Sequence, residues 1–283
     1  MPGAPDPLYV LARRVLLDAL GAIEDQLDAV TLVGAQAVYV HTGSVPLAVP
    51  EFTTDGDVML EPAVLRPSPL LDQALRGARF VPHADASRVG TWVATRDLDG
   101  RPVNVHVDLL VAEAIAGLGT RAARIPPHAP GTARRARGLE AALVDRGRHT
   151  IVALDPSDPR RFTVFVARPA ALLVAKLHKV SERAADPDRA VDKDALDVYR
   201  LLRAASTEEL ARPLRRLLET ELAAPVTREA LDGLEGLFAS ARSAGCQMAA
   251  RSAAPLEPAD VLVASLVALA TDLLGAVGRR ARG

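Results

Sequence analysis

Cysteine, aromatic residues and surplus charge are what this chain has least of, and each shortage removes a class of function. One cysteine, Cys246, leaves neither a disulfide framework nor a thiolate metal cluster. Aromatics make up 3% of the residues, too few for the stacking platforms on which single-strand binders hold bases. A net charge of −1 gives no bulk attraction to nucleic acid. The opening Met1-Pro2-Gly3-Ala4-Pro5-Asp6-Pro7 has no basic region with an apolar run behind it, so no signal peptide is expected. The most apolar late stretch, 261–277, contains Thr271 and Asp272 and is short for a membrane span. It reads as a buried helix, and the chain as soluble and cytoplasmic with no membrane partner.

What is present is apolar and helix-forming. The 283 residues are 49% hydrophobic and 24% charged, which is globular, and the length holds one large domain or two modest ones. Apolar residues at helical spacing predict a helix over 8–28, followed by a short strand at 31–33 ending on Gly34 and a helix over 36–41. That helix is cut off by a loop at 42–46. A strand at the Asp55 segment and a helix over 69–79 come next. Runs at 89–95 and 103–111, joined through Asp99-Gly100, predict a hairpin, and 149–154 with 161–166 a second one. From Pro169 onward the pattern is helical. The expected fold is α+β: a mixed-sheet domain over 1–168 and a helical bundle over 169–283. Between them, arginines crowd 119–148. They form either a solvated loop or a loop facing a polyanion.

The residues that point to chemistry are Asp55 and Asp57, on either side of Gly56. On a strand, side chains two apart share a face, so two carboxylates would stand together and repel unless a cation separates them. Mg²⁺ is the usual hard cation there, and it brings substrate phosphates with it. A turn is the alternative, since Asp-Gly is itself a turn dipeptide. Gly34 ends a strand and opens a helix, where backbone amides can approach an anion. In 103–108 the valines take one face while Asn104, His106 and Asp108 take the other, offering a third carboxylate or an ordinary half-exposed strand residue. Three acids on neighbouring strands can hold two Mg²⁺ ions for in-line displacement on a triphosphate.

In this order the motifs resemble the nucleotidyltransferase superfamily of the DNA polymerase β-type fold, and within it the AbiEii-type toxins of toxin–antitoxin and phage-defence systems. Val33-Gly34-Ala35, Thr53, Asp55-Gly56-Asp57 and the later Asp108 match its pattern, over roughly residues 25–205. Lys176 and the Lys193-Asp194-Ala195-Leu196-Asp197 segment, with Arg183 between, match the later helices of that group. The chain departs from the pattern at Ala35, where Ser or Gly is frequent, at Gly56, where an apolar residue is usual, and at Glu51.

The resemblance implies an enzyme that transfers NMP from an NTP to an acceptor. Asp55 and Asp57 would ligate two Mg²⁺ ions, with Mn²⁺ as a substitute, and Asp108 would ligate the second metal or help deprotonate the acceptor hydroxyl. Gly34, Ala35 and Thr53 would lie at the nucleotide, Lys176 would neutralise phosphate charge, and Asp194 would act as a base or hold that lysine. The nucleotide would bind between the sheet and the helical half. The implied partners are the NTP, a tRNA or other RNA acceptor, and a cognate antitoxin, while protein or small-molecule acceptors fit the residues equally well. Two other readings stay open: a non-catalytic nucleotide or partner binder of the same fold, and a metal-dependent phosphohydrolase using the same acids.

Overall fold

Asp99 and Gly100 both take positive φ, 53° and 78°, the backbone that a two-residue turn between twisted strands requires. They close the longest hairpin of the molecule, and Leu98 pairs with Arg101 across the turn. The computed structural model describes residues 5–43, 49–119, 121–184 and 192–278. The expected loop at 42–46 lies outside the described residues from Ser44 on, as do Met1 to Ala4 of the opening segment.

The helices are α1 (Pro7–Ala22), α2 (Gly34–Thr42), α3 (Leu71–Gly77), α4 (Glu140–Val144), α5 (Pro169–Ala184), α6 (Lys193–Ala204), α7 (Thr207–Glu219), α8 (Ala224–Phe238), α9 (Ala244–Ala253) and α10 (Ala259–Gly278). The strands are β1 (Val30–Val33), β2 (Asp55–Leu60), β3 (Val81–Pro82), β4 (Thr91–Leu98), β5 (Arg101–Ala112), β6 (Arg134–Ala136), β7 (Arg146–Val152) and β8 (Arg161–Ala167). The protein is therefore α+β, with one mixed sheet and several helices. The sheet runs β3-β4-β5-β2-β1-β8-β7, and β6 pairs with β5.

Two compact units divide the chain. One contains Met1–Gln36, Glu51–Ala136 and Arg146–Val166; the other contains Ala37–Pro50, Arg137–Asp145 and Ala167–Gly283. The long segment of the second unit begins beside the boundary expected at 168. Two short pieces of the first half, 37–50 and 137–145, cluster with it.

In the first unit, Asp6 caps α1 by accepting a hydrogen bond from the Leu8 amide at 2.7 Å, and Pro7 sits at the first helical position. The expected helix over 8–28 ends earlier, at Ala22, and Glu24–Ala29 continues as a 3₁₀ turn. Helix α1 packs its Leu11, Val15, Leu16 and Leu20 stripe on the sheet. A Cβ on Gly56 would stand 3.2 Å from the Leu16 Cδ1, so glycine at the centre of Asp-Gly-Asp gives the helix close access to the strand. The first unit thus tolerates the departure at Gly56 for a packing reason.

The second unit is helical. Ser206 and Glu209 form a reciprocal capping box at the start of α7. Helix α10 buries one stripe, Leu262, Val263, Leu266, Ala270, Leu273 and Val277. By length and composition it is apolar enough to cross a membrane, and 33% of its most apolar window is buried. The expectation of a buried helix at 261–277 is therefore corrected to a helix buried along one stripe. Small residues and Asp272 fill much of the rest.

Candidate functional site

Strand β2 lies between β1 and β5, antiparallel to the first and parallel to the second. Its register sets Asp57 opposite Asp108 and Asp55 opposite His106. Opposed residues on neighbouring strands share a face, and strands lie about 4.8 Å apart. Asp55, Asp57, Asp108 and His106 therefore form a two-by-two block on one face of the sheet. Gly56, between the acids, faces α1 on the other. The row continues on β4, where Thr91 pairs with Asp108 and Val93 with His106.

Each member of the block is held by its surroundings. Gly34 has φ +69°, and a Cβ there would fall 1.8 Å from the Asp57 Oδ2. The Asp57 carboxylate thus rests directly on the strand-to-helix turn, and it is 7% exposed. Thr53, fully buried, donates its hydroxyl to the Asp55 Oδ1. The Asp55 main chain is fixed from behind: its carbonyl accepts from the Gln36 Nε2 at 2.9 Å, and the Gln36 Oε1 accepts from the Arg13 Nε at 2.6 Å. Arg13, buried in α1, also donates to the Val152 carbonyl at 3.0 Å. Ala35 is buried in the first turn of α2, with no hydroxyl to offer a ligand.

Asp108 carries its own counter-charge. The Arg134 Nη2 on β6 donates to the Asp108 Oδ2 at 2.7 Å, while the Asp108 Oδ1 is buried with no hydrogen-bond partner among the described residues. On the opposite flank, the His83 and His106 rings meet edge to face at 5.5 Å, and the Arg88 Nη1 lies 3.1 Å from the His83 Nε2. Burial, with the Arg88 and His83 charges, holds His106 below the usual imidazole range against the pull of Asp108 and Asp55. A cavity of about 270 Å³ opens at Thr91, lined also by His83, Arg88, Arg76 and Trp92.

Among the described residues no group of three or more His, Cys, Asp or Glu side chains is arranged to enclose a metal ion. The block fits a different kind of site. Mg²⁺ is held by one or two carboxylates together with substrate phosphates, without a closed protein cage. A cradle at Gly34 that only hydrogen can occupy, beside the Asp57 carboxylate, suits such an open site.

Lys176 and Asp194 belong to the second unit. The Lys176 Nζ is 2.6 Å from the Asp194 Oδ1 and 2.6 Å from the Asp197 Oδ2, with all three side chains almost fully buried. Arg183 donates to the other Asp194 oxygen. Burial opposes both charges, but the paired carboxylates raise the Lys176 ammonium above its ordinary range, and Lys176, Lys179 and Arg183 hold Asp194 below its own. This is an internal ion network between α5 and α6.

Several arginines of the 119–148 stretch have internal partners. Within the first unit Arg146 pairs with Glu61 at 2.5 Å and Arg148 with Asp28 at 2.7 Å. Arg135 donates to the Gly117 and Gly119 carbonyls. In the second unit Arg137 pairs with Glu229. The Arg148 and Arg137 side chains are 51% and 43% exposed in these pairs, in keeping with the solvated reading of 119–148.

Arg13, Gln36, His106 and Arg134 are the neighbours of the acids that sequence reasoning did not single out as site residues. The signal for His106 was its alternation with Asp108; none distinguished Arg134 from the arginines around it. Neither comparison with protein-family models nor comparison with curated proteins finds a match to this chain.

Proposed function

We propose that this protein is a Mg²⁺-dependent nucleotidyltransferase of the AbiEii-like kind, transferring NMP from an NTP to an acceptor and releasing pyrophosphate. One observation carries the reading: Asp57 stands opposite Asp108 with Asp55 on the same face, above a glycine turn that leaves no room for a side chain. Asp55 and Asp57 would hold the metal, which supplies positive charge for the triphosphate and its departing end. The Gly34 turn, which opens α2, lies against the phosphates through main-chain groups. Thr53 positions Asp55 and does not itself need to touch nucleotide. The acceptor oxygen bonds to the α-phosphorus as the bond to the bridging oxygen breaks, and pyrophosphate leaves with the electron pair. Asp108 would take the proton that the acceptor hydroxyl loses as its oxygen bonds to phosphorus. The acceptor is a tRNA or another RNA, and the role is that of a toxin with a cognate antitoxin.

The test mixes the protein with Mg²⁺ or Mn²⁺, each labelled NTP in turn, and total RNA or the protein alone. Label transfer is expected, and Asp55→Ala with Asp57→Ala is expected to abolish it. Transfer that survives the double substitution, or none with any NTP, overturns the proposal.

The Arg134–Asp108 pair favours a second reading, a nucleotide-binding member of the same fold that does not turn over. Calorimetry separates the two, because binding without label transfer selects the binder.

A further inference from the structure

We infer that Arg134 is a resident cation at the Asp108 end of the carboxylate block, occupying the place where a second divalent ion would otherwise sit, so that the protein takes one metal ion and not two. The inference rests on the proposed metal-dependent reading and refines it. It starts from electrostatics. Three carboxylates on one face of two bonded strands repel one another, and cations set among them relieve that repulsion. One is already built in, 2.7 Å from the Asp108 Oδ2. The two side chains are 24% and 17% exposed, so the pair is sheltered from the water that weakens surface ion pairs. A guanidinium cannot be deprotonated in a protein, so this charge is permanent.

The backbone around Arg134 is constructed to keep it there. Strand β6 pairs with β5 so that Arg134 sits opposite Leu110, two residues beyond Asp108 on the same face. Arg134 is also bridged to Ala122. Gly90, with φ +77°, presses so close that a Cβ on it would stand 2.6 Å from the Arg134 amide nitrogen and 2.8 Å from the Leu109 carbonyl. A side chain at position 90 would push β6 away from β5, and the guanidinium away from Asp108. Glycine at 90 is thus a positioning residue for Arg134, as glycine at 34 is for Asp57.

The consequence is a division of labour. A divalent ion approaching Asp108 would meet a fixed positive charge on the same carboxylate, whereas the Asp55 and Asp57 side lies farther along the row. The Asp108 Oδ1, which has no partner, is left as an acceptor for a neutral donor such as a hydroxyl. Arg134 is a positioning residue with respect to the reacting atoms, and its effect is read in metal stoichiometry.

The experiment counts Mn²⁺ ions bound by the whole protein, without nucleotide, from the loss of the free-ion signal in electron paramagnetic resonance. The wild type is expected to bind one ion, and Asp55→Asn with Asp57→Asn to bind none. Arg134→Ala is expected to bind a second ion, at least tenfold tighter than any second ion on the wild type, and Arg134→Lys to stay at one. Asp108→Asn, which needs no change at Arg134, is expected to leave the count at one; a fall to zero would make Asp108 a ligand and overturn the inference. Two ions on the wild type, or one on a folded Arg134→Ala, overturn it while leaving the metal reading intact. No Mn²⁺ binding by the wild type overturns both.

Discussion

Gly34 shows how much of a site can depend on the absence of one atom. Two costs coincide at this position: a left-handed backbone that disfavours side chains, and a carboxylate already in the volume a Cβ would fill. Gly34→Ala is expected to lower stability by about 1–3 kcal/mol from the backbone conformation alone, and further because Asp57 must turn away. Denaturant unfolding measures the first effect, and Mn²⁺ binding the second. Unchanged stability with unchanged metal affinity would mean that the turn is not built as described. The sequence made Gly34, Asp55, Asp57 and Asp108 visible because each carries a local signature: a strand-end glycine, an Asp-x-Asp pair, an acid opposite a valine stripe. Arg134 was not legible, since an arginine in a run of arginines gains meaning only from a strand pairing between residues far apart in the chain.

At the scale of elements, α5 and α6 teach the opposite lesson. Lys176, Asp194 and Asp197 fit a functional motif by their spacing, yet their helices turn them toward one another. Helical periodicity places residues on a stripe but does not say whether that stripe meets solvent or another helix. Removing one partner of a buried ion pair leaves an uncompensated charge, which typically costs about 3–5 kcal/mol. Lys176→Met is therefore expected to destabilise the protein on that scale. Adding Asp197→Asn should return part of the loss, because Asp194 keeps Arg183 as its partner and Arg200 keeps the Val49 and Pro50 carbonyls. Thermal unfolding of the single and double variants checks this, and equal stability of Lys176→Met and wild type would refute the network. The hairpins were the most legible elements, since Asp99-Gly100 dictates its own turn. Strand β6 was the least, being three residues long and defined wholly by its neighbour.

For the molecule as a whole, the unit boundaries follow contacts and not chain order. His178 packs so closely on Gly138 that a Cβ there would stand 2.6 Å from its ring, and Arg200 donates to the Val49 and Pro50 carbonyls at 2.8 Å and 2.9 Å. Those partners precede the helical segment by many residues. A fragment of residues 169–283 would expose these surfaces, so it is expected to lack the cooperative thermal transition of the full chain, as circular dichroism would record. A sharp transition would show the segment to be self-sufficient. A sequence scan sees the change from mixed to helical pattern near 168, but it cannot see that 37–50 and 137–145 return to the helical unit.

The parallel bonding of β2 to β5 has a broader implication for how this scaffold can diversify. The acids are aligned by main-chain hydrogen bonds between two strands, while the stretch from Glu61 to Phe80, ahead of β3, leaves the sheet between them. Insertions or deletions in that excursion can reshape what the protein accepts without moving its charged centre. Chemistry and selectivity are thereby written in separable stretches of the gene, open to change at different rates.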